Sequence, residues 1–256
     1  MDFGGDIGIW QRRLAECNEG LERRNATLKA MEIEPGKTYL DVGCGGGHLV
    51  RDIGMVLGNE GRVVGLDATS EQISGARDLC EGMANIEFVE GDATKMDFPD
   101  ASFDGLASIQ TLDYIPDVNA ALLEARRVLK QGSRITLVCV LWDHWRFHGP
   151  EDDLNNQILN VFREHCAHQM LPLGLPGLLI ASGFENVKRK QIAFFNDKFE
   201  ESVYSYWAAK VAAHFAIGQG VPEQEVQQWF WQLEDANKSN QFGFVSVPIV
   251  TTAVAA

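Results

Sequence analysis

Short apolar segments alternate with amphipathic segments through the first half of the chain. The apolar segments contain many β-branched and aromatic residues, as buried strands do; they are 38–44, 62–68, 85–91, 103–109 and 133–141. Apolar positions at helical spacing lie between them, at 48–57, from Ser70 onward and at 118–130. Strands separated by helical segments of about 10–15 residues form βαβ units, so the pattern predicts a doubly wound α/β fold with helices on both faces of a parallel sheet.

The pattern is less regular on either side of this stretch. Strands are predicted at 184–194 and 243–253. At 256 residues we expect a single domain over residues 1–256, with its regular core at 38–141. The remaining predicted helical segments are an N-terminal one at 1–37, two aromatic-rich insertions at 142–170 and 196–239, and a short helix at 172–183.

The formal net charge of −14 disfavours nucleic-acid partners, because such proteins gain affinity from Lys and Arg that neutralise phosphates. Basic pairs such as Arg23-Arg24 have acidic neighbours and are expected on solvated helix faces. The five cysteines are scattered without a CxxC pair, so neither a disulfide framework nor a zinc site is expected. The N-terminal residues lack a secretory pattern and no apolar run approaches ~20 residues, so we expect a cytoplasmic protein without a membrane partner.

A glycine-rich turn follows the first predicted strand, from Asp41 through Gly43, Gly45 and Gly47 to His48. Such a turn at the start of a βαβ unit lets a cofactor lie against backbone without side chains in the way. The dinucleotide fingerprint G-x-G-x-x-G requires glycine where His48 stands, which argues against a nicotinamide-dependent enzyme. An acid at Asp41 suits an ammonium group better than a phosphate, because like charges repel.

Acidic side chains end the next two predicted strands. Asp67 lies at the end of the second strand, where an acid can accept hydrogen bonds from both ribose hydroxyls. Asp92 follows the third strand, where it can accept a hydrogen bond from the exocyclic amine of an adenine. Each acid alone is a common cap or loop residue. Acids at successive strand ends beside a glycine turn together indicate a site for an adenosine-containing ligand.

Four segments within the predicted core resemble the class I S-adenosylmethionine-dependent methyltransferases: YLDVGCGGG, VVGLDAT, VEGDATKMDFPDASFD and LLEARRVLKQGSRI. One departure is LKQGSR, where the family usually has proline and paired glycines. The resemblance implies a Rossmann-like seven-stranded sheet, mostly parallel with the last strand antiparallel, and S-adenosylmethionine as the cofactor. The implied cofactor contacts are Gly43 and Gly45 with the methionyl part, Asp67 with the ribose, and Asp92 and Ala93 with the adenine, with Ala68, Gln72 and Gln110 as further candidates.

Residues 142–256 resemble, through WDHW and PGLLIASGF, a narrower group of small-molecule methyltransferases near the ubiquinone and menaquinone branch. Methyl transfer is an in-line displacement at a methyl group that the sulfonium charge already activates, so the enzyme mainly positions the acceptor and excludes water. A general base assists an O–H or N–H acceptor. The candidates are His144 and His148, just after the fifth predicted strand, and Tyr114, after the fourth.

The predicted function is therefore methyl transfer to nitrogen or oxygen, with carbon left open, of a small and partly apolar or aromatic metabolite. The two aromatic-rich insertions are expected to form a lid on the substrate side. No metal is needed, and His165 and His168, which lack metal-site spacing, are expected on the surface. The alternatives are a nicotinamide-dependent oxidoreductase and a non-catalytic cofactor-binding partner protein; a homodimer is left open.

Overall fold

The computed structural model describes residues 5–256, so the first four residues of the predicted N-terminal helical segment lie outside the described residues. Its helices are α1 (Gly5–Glu16), α2 (Asn18–Met31), α3 (His48–Leu57), α4 (Ser70–Leu79), α5 (Val118–Val128), α6 (Asp152–Phe162), α7 (Leu171–Ala181), α8 (Tyr204–Gly218) and α9 (Glu223–Lys238). Its strands are β1 (Thr38–Val42), β2 (Arg62–Asp67), β3 (Ile86–Glu90), β4 (Phe103–Ile109), β5 (Leu129–Val140), β6 (Arg146–His148), β7 (Phe184–Gln191), β8 (Phe194–Asn196), β9 (Gly243–Ser246) and β10 (Pro248–Ala255).

Seven of these strands form one sheet in the order β3-β2-β1-β4-β5-β10-β7. The first five strands in this order run parallel to one another, and β10 is antiparallel to both β5 and β7. This topology confirms the predicted Rossmann-like sheet with an antiparallel last strand. Because the parallel strands share one direction, the loops that follow β1, β2, β3 and β4 meet at one edge, where open α/β sheets bind ligands.

Apolar side chains cover both faces of this sheet. Successive strand residues point to opposite faces, and accordingly Leu40 belongs to one buried cluster and its neighbour Tyr39 to another. The first cluster includes Leu122 of α5 and Leu179 of α7, and the second includes Ile53 of α3. The sheet is therefore sandwiched between helices, as the alternation of strands and helices predicts.

Two of the predicted strands are each split between two sheets. The predicted strand 243–253 is β9 and β10 in the structure, and the predicted strand 184–194 is β7 and β8. β9 pairs with β6 and β8 in a three-stranded antiparallel sheet, whereas β10 joins the seven-stranded sheet. Pro248 begins β10, which is a position where a strand tolerates the missing N–H. Alternation of apolar residues predicts a strand but not the sheet that it joins, which is why the split was missed.

The chain forms two compact units. The sheet unit, which contains the seven-stranded sheet, consists of residues 23–140, 170–192 and 248–256. The insertion unit consists of the described part of residues 1–22 with residues 141–169 and 193–247. The prediction of a single domain over residues 1–256 stays a prediction.

None of the helices in the described part of the chain is long and apolar enough to cross a membrane.

Aromatic side chains form the core of the insertion unit. Phe147 on β6 and Phe244 on β9 are fully buried with ring centroids 4.7 Å apart. Trp229 of α9 packs edge-on against Phe147 at 5.3 Å. Tyr204 is also buried, whereas Trp231 is 58% exposed. Several of the helix-spaced aromatic residues therefore serve packing, and the lid role of the two insertions stays a prediction.

A buried amide connects the sheet and helices of this core. The Asn155 Nδ2 group donates to the Phe147 carbonyl oxygen at 2.9 Å, and the Asn155 Oδ1 atom accepts from the Trp229 Nε1–H at 3.0 Å. All three residues are at most 2% exposed. Asn155 therefore satisfies two polar groups that water does not reach.

Replacing Asn155 with alanine leaves the Phe147 carbonyl and the Trp229 indole N–H buried without these partners, and each such loss costs about 1–3 kcal/mol. We therefore expect Asn155→Ala to lower the unfolding free energy by about 2–6 kcal/mol, measured by urea unfolding. The matched control is Asn160→Ala, an exposed change on the same helix, which should alter it by less than about 0.5 kcal/mol. Equal effects of the two changes would contradict the structural role of Asn155.

Candidate functional site

The glycine-rich turn continues the edge of the sheet beyond β1. The backbone N–H groups of Gly43 and Cys44 both donate to the Leu66 carbonyl, at 2.7 and 3.0 Å. Gly43 has φ of +72°, and a Cβ atom at this position would lie 2.0 Å from the Oγ1 atom of Thr111. Only glycine fits there, because both the conformation and the space exclude a side chain. Sequence reasoning missed Thr111, since nothing in its own neighbourhood marks it as a neighbour of the turn.

Gly45 stands at the open side of the same turn, next to Asp67. The Gly45 N–H donates to the Asp67 Oδ2 atom at 2.8 Å, and the Thr69 N–H donates to Asp67 Oδ1 at 3.0 Å. Apart from Gly45 itself and its two chain neighbours, no described residue has an atom within 4 Å of the place where a Cβ of Gly45 would stand. A carboxylate has about four acceptor positions, so Asp67 can accept further hydrogen bonds while holding the turn.

Asp41 is the buried acid beneath this turn. It is 2% exposed, and its Oδ1 atom has no hydrogen-bond partner among the described residues. Burial, together with the nearby charge of Asp67, raises the pKa of Asp41 from 3.8 to about 8. A buried carboxyl of this kind ionises readily only when a cation or a hydrogen-bond donor is placed beside it. The turn therefore combines an open backbone surface with an unsatisfied acid, which fits the amino-acid tail of S-adenosylmethionine.

The loop after β3 lies beside the end of β2. The Gly91 N–H donates to the Asp67 carbonyl at 2.9 Å, which brings the predicted adenine-binding residues next to the predicted ribose-binding acid. Asp92 is exposed, and its Oδ1 atom accepts from both the N–H and the hydroxyl of Thr94, each at 2.8 Å. Ala93 is buried. Asp92 thus stabilises its own turn, and a role toward a ligand stays a prediction.

The three remaining cofactor candidates differ in burial. Ala68 is exposed, Gln72 is buried in the first turn of α4, and Gln110 is half-buried directly after β4. Gln110 has φ of +53°, and its N–H donates to the Val138 carbonyl at 2.7 Å. All three belong to the sheet unit and follow, or lie close behind, the ends of parallel strands.

The Arg23-Arg24 pair is not on a solvated helix face, so that prediction is wrong. Arg23 is 6% and Arg24 is 7% exposed. Arg24 forms an ion pair with Asp52 of α3, with Nε and Oδ2 2.7 Å apart, and the Arg23 Nη1 group donates to the Oε1 atom of Gln110. These tertiary partners bury the two side chains, and helical periodicity contains no signal of them.

The three candidates for a general base are not deeply buried. His144 lies in a short 3₁₀ turn after β5 and His148 on β6, and both are exposed, whereas Trp142 and Trp145 beside them are buried. Tyr114 lies in a 3₁₀ turn after β4 and is half-buried. His144 and His148 belong to the insertion unit and Tyr114 to the sheet unit. Their catalytic role stays a prediction.

His165 is buried, so the prediction of a surface position is wrong for it. It is 2% exposed and stacks on Phe162 with ring centroids 4.0 Å apart. Burial lowers the pKa of His165 to about 4, so the ring is neutral near pH 7. Its Nδ1 atom is 2.6 Å from the Phe162 carbonyl oxygen, which only accepts, so the proton is on Nδ1. His168 is half-buried, and the described residues contain no cluster of three or more His, Cys, Asp or Glu side chains that fits a metal ion.

A cavity of about 80 Å³ lies beside His165 within the insertion unit. The Trp145 Nε1–H and the Gln169 Oε1 atom have no hydrogen-bond partner among the described residues, and both residues line the cavity. Trp142 and Phe162 contribute aromatic walls. The charged side chains of Asp143, Arg146 and Arg163 also line the cavity, so its lining combines aromatic rings with polar and charged groups.

Comparison with known proteins relates the chain to methyl-transferring enzymes. The model of a family described as methyltransferase domain matches residues 33–170. The chain is 28% identical over 200 residues to the 2-phytyl-1,4-naphtoquinone methyltransferase of Synechococcus elongatus, covering 68% of this chain and 83% of that protein. It is 27% identical over 169 residues to an uncharacterised 37.1 kDa protein in transposon TN4556 of Streptomyces fradiae, covering 66% of this chain but 48%, about half, of that relative.

Solved structures share the fold at lower sequence identity. YcgJ of Bacillus subtilis has a TM-score of 0.65 at 21% identity, with 91% of this chain and 98% of that chain covered. Phosphoethanolamine N-methyltransferase 2 of Haemonchus contortus, solved in complex with S-adenosyl-L-methionine, has a TM-score of 0.65 at 16% identity, with 97% of this chain and 56% of that chain covered. At such identities the likeness establishes the fold alone.

The raised pKa of Asp41 predicts that stability depends on pH. In the unfolded chain this carboxyl ionises near 3.8, whereas in the folded protein it stays protonated up to about 8. Between these values folding takes up a proton, so the contribution of this group to the unfolding free energy falls by about 1.4 kcal/mol per pH unit as pH rises. The neutral variant Asp41→Asn lacks this dependence.

Urea unfolding of the ligand-free wild type and of Asp41→Asn between about pH 5 and 8 measures the effect. The unfolding free energy of Asp41→Asn minus that of the wild type should increase steadily with pH. A difference that is constant over this range would contradict the raised pKa.

Proposed function

Since this chain belongs to the methyltransferase domain family and has the class I fold, we propose that it transfers a methyl group from S-adenosylmethionine to nitrogen or oxygen, or to carbon, of a small and partly apolar or aromatic metabolite. The observation that carries the proposal is the turn at Gly45, which is open on one side and held by Asp67. The unsatisfied carboxyl of Asp41 beneath it adds the chemistry that an amino-acid tail requires.

The cofactor residues have distinct roles in this proposal. Gly43 and Gly45 provide backbone against which the methionyl tail lies, and Asp41 binds its ammonium group. Asp67 accepts hydrogen bonds from the ribose hydroxyls while it holds the Gly45 and Thr69 N–H groups. Asp92 and Ala93 flank the adenine, and Ala68, Gln72 and Gln110 complete the contacts.

Bound S-adenosylmethionine supplies an electrophilic methyl group, so the protein has to orient the acceptor and keep water away from it. His144, His148 and Tyr114 are the proposed groups that hold or remove the acceptor proton. The rings of Trp142 and Phe162, which form part of the mixed lining of the cavity beside His165, can pack against an acceptor with a flat apolar part. The relative from Synechococcus elongatus is named for a naphthoquinone acceptor, which agrees with this chemistry.

Two features speak against the alternative of a nicotinamide-dependent oxidoreductase. His48 occupies the place of the third glycine in the dinucleotide fingerprint, and the matching family is one of methyltransferases. The net charge of −14 supports a small molecule rather than a nucleic acid as the acceptor.

The proposal predicts that Asp67 is needed for cofactor binding. Asp67→Ala removes a charged acceptor for two hydroxyls, and hydrogen bonds to charged groups are worth about 1.5–3 kcal/mol each, so the affinity should fall by about 100-fold or more. Isothermal titration with S-adenosylmethionine measures it. The matched control is Asp78→Ala, an exposed acid on α4, which should leave the affinity unchanged. Thermal unfolding of the same sample establishes that Asp67→Ala is folded. A folded variant with wild-type affinity would contradict the assignment of Asp67 to the cofactor site.

The proposal also predicts the fate of the methyl group. Incubation with methyl-labelled S-adenosylmethionine and a cell extract, followed by separation into small-molecule, protein and nucleic-acid fractions, should place the label in small molecules. Label in macromolecules would contradict the proposed acceptor class. Absence of label from every fraction, in extracts of several cell types, would favour the non-catalytic binding protein.

The labelled product then allows the base to be tested. His144→Ala and His148→Ala are compared with His168→Ala as the control, and the variant that lacks the base should turn over about 100-fold more slowly. Unchanged rates in both variants would contradict a histidine base.

A further inference from the structure

Three aromatic rings surround one lysine in the insertion unit. The Nζ atom of Lys210 lies 5.6 Å from the ring centroids of Trp10 and Tyr206 and 5.9 Å from that of Trp207. A cation within about 6 Å of a ring centroid is attracted by the negative face of the ring. We propose that these three rings, the aromatic cage, bind a small organic molecule with a methylated ammonium group, which takes the place of the Lys210 ammonium. This inference goes beyond the proposed function, because it concerns the insertion unit and a ligand other than the cofactor.

Helix geometry brings the rings of the aromatic cage to the lysine. Residues three and four positions apart lie side by side on a helix surface, so Tyr206 and Trp207 of α8 are neighbours of Lys210. Trp10 belongs to α1 and packs edge-on against His214 of α8, with ring centroids 5.5 Å apart. His214 follows Lys210 by one helical turn, so the ring of Trp10 reaches the same part of α8 from a second helix. All of these residues belong to the insertion unit.

Contacts that do not involve the lysine hold these rings in place. The Trp207 Nε1–H donates to the Glu201 carbonyl oxygen at 2.7 Å. The ring of Tyr206 packs against Phe230 of α9, with centroids 5.7 Å apart, and edge-on against Trp207 at 5.3 Å. The aromatic cage therefore keeps its walls when the lysine leaves it, and a preformed site loses less free energy to ordering when a ligand binds.

Lys210 can be replaced in the aromatic cage by a ligand. Its side chain is half-buried, and it takes part in none of the ion pairs of residues 5–256. A lysine ammonium is compact, strongly hydrated and carried on a flexible stem, so it regains its water shell once it points into solvent. A methylated ammonium has fewer N–H groups to hydrate, and it is the kind of cation that aromatic cages recognise. The exchange therefore favours the methylated ligand.

The charges around the aromatic cage also favour a cation. Burial and, after it, the charges of Glu201 and Glu234 raise the pKa of the Tyr206 hydroxyl, so carboxylates lie near this wall of the cage. Arg13 lies over one of the cage tryptophans, with its Cζ atom 6.0 Å from the ring centroid. Its guanidinium already pairs with Glu16, with Nη1 and Oε2 3.4 Å apart, which offsets its charge.

The test compares two probes of the same shape: choline, and the neutral alcohol in which a tert-butyl group replaces the trimethylammonium group of choline. Isothermal titration of the full chain with each probe gives the ratio of the two affinities, and tryptophan fluorescence reports contact with the cage rings. We expect the wild type to favour choline by about 10-fold or more, because only choline gains cation–π attraction. Lys210→Met removes the competing ammonium and should bind choline about 10-fold more tightly than the wild type.

Matched variants distinguish the aromatic cage from other parts of the insertion unit. Trp207→Leu removes one ring and should lower the affinity ratio by about 5-fold. The control is Trp231→Leu on α9, where the tryptophan is 58% exposed, and it should keep the wild-type ratio. Lys238→Met, an exposed lysine on the same helix, is the control for Lys210→Met and should bind choline as the wild type does.

A ratio is measured on one preparation, so a partly unfolded variant lowers the active fraction for both probes alike. Where Trp207→Leu does not fold, Trp10→Leu replaces it with the same expectation. A wild type that binds both probes equally, or neither, overturns the inference, as does a folded cage variant with the wild-type ratio. Binding of choline by Lys210→Met alone also overturns it, because Lys210 then keeps the cage closed in the native protein. S-adenosylmethionine is absent from these titrations, so their outcome leaves the proposed function untouched.

Discussion

The hydrogen bond between the Gly45 N–H and the Asp67 carboxylate is the contact that the sheet-edge site depends on. The Gly43 and Cys44 N–H groups donate to the Leu66 carbonyl, and the Gly45 N–H donates to Asp67. These hydrogen bonds continue the contact between β1 and β2 beyond the end of β1. These backbone contacts and the Asp67 carboxylate together keep the shape of the turn, while the position of a Gly45 side chain stays open. Asp67 thus shapes the turn, and in the proposed function the same carboxylate also binds the ribose, so that one residue would serve both structure and recognition.

The protonation state of Asp41 depends on whether a cation lies beside it. Burial, together with the nearby charge of Asp67, raises the pKa of Asp41 to about 8, so this carboxyl is neutral near pH 7. A cation beside Asp41 reverses this preference, since it favours the ionised form. The ligand-free protein thus avoids a buried unpaired charge, and the proposed site acquires that charge only when an opposite one arrives.

The sequence predicted those parts of the structure that are determined by residues close together along the chain. Helix α3 and strand β4 have their predicted bounds, 48–57 and 103–109, because turns or glycines delimit short elements with a clear apolar pattern. The burial of Arg23 is different, since its partner Gln110 lies 87 positions away. His165 is similar: its stacking on Phe162 and its place in an aromatic core follow from tertiary packing, which periodicity does not encode.

The position of β10 has a consequence for how the protein is made. This strand follows β7 along the chain, yet it lies between β5 and β7 in the sheet. During synthesis β7 emerges from the ribosome before β10 and has no neighbour in the sheet until residues 248–255 follow. While the intervening segment is translated, the nascent chain carries β7 unpaired and the edge of β5 open. During this interval, chaperone binding or wrong strand pairing competes with the native strand order.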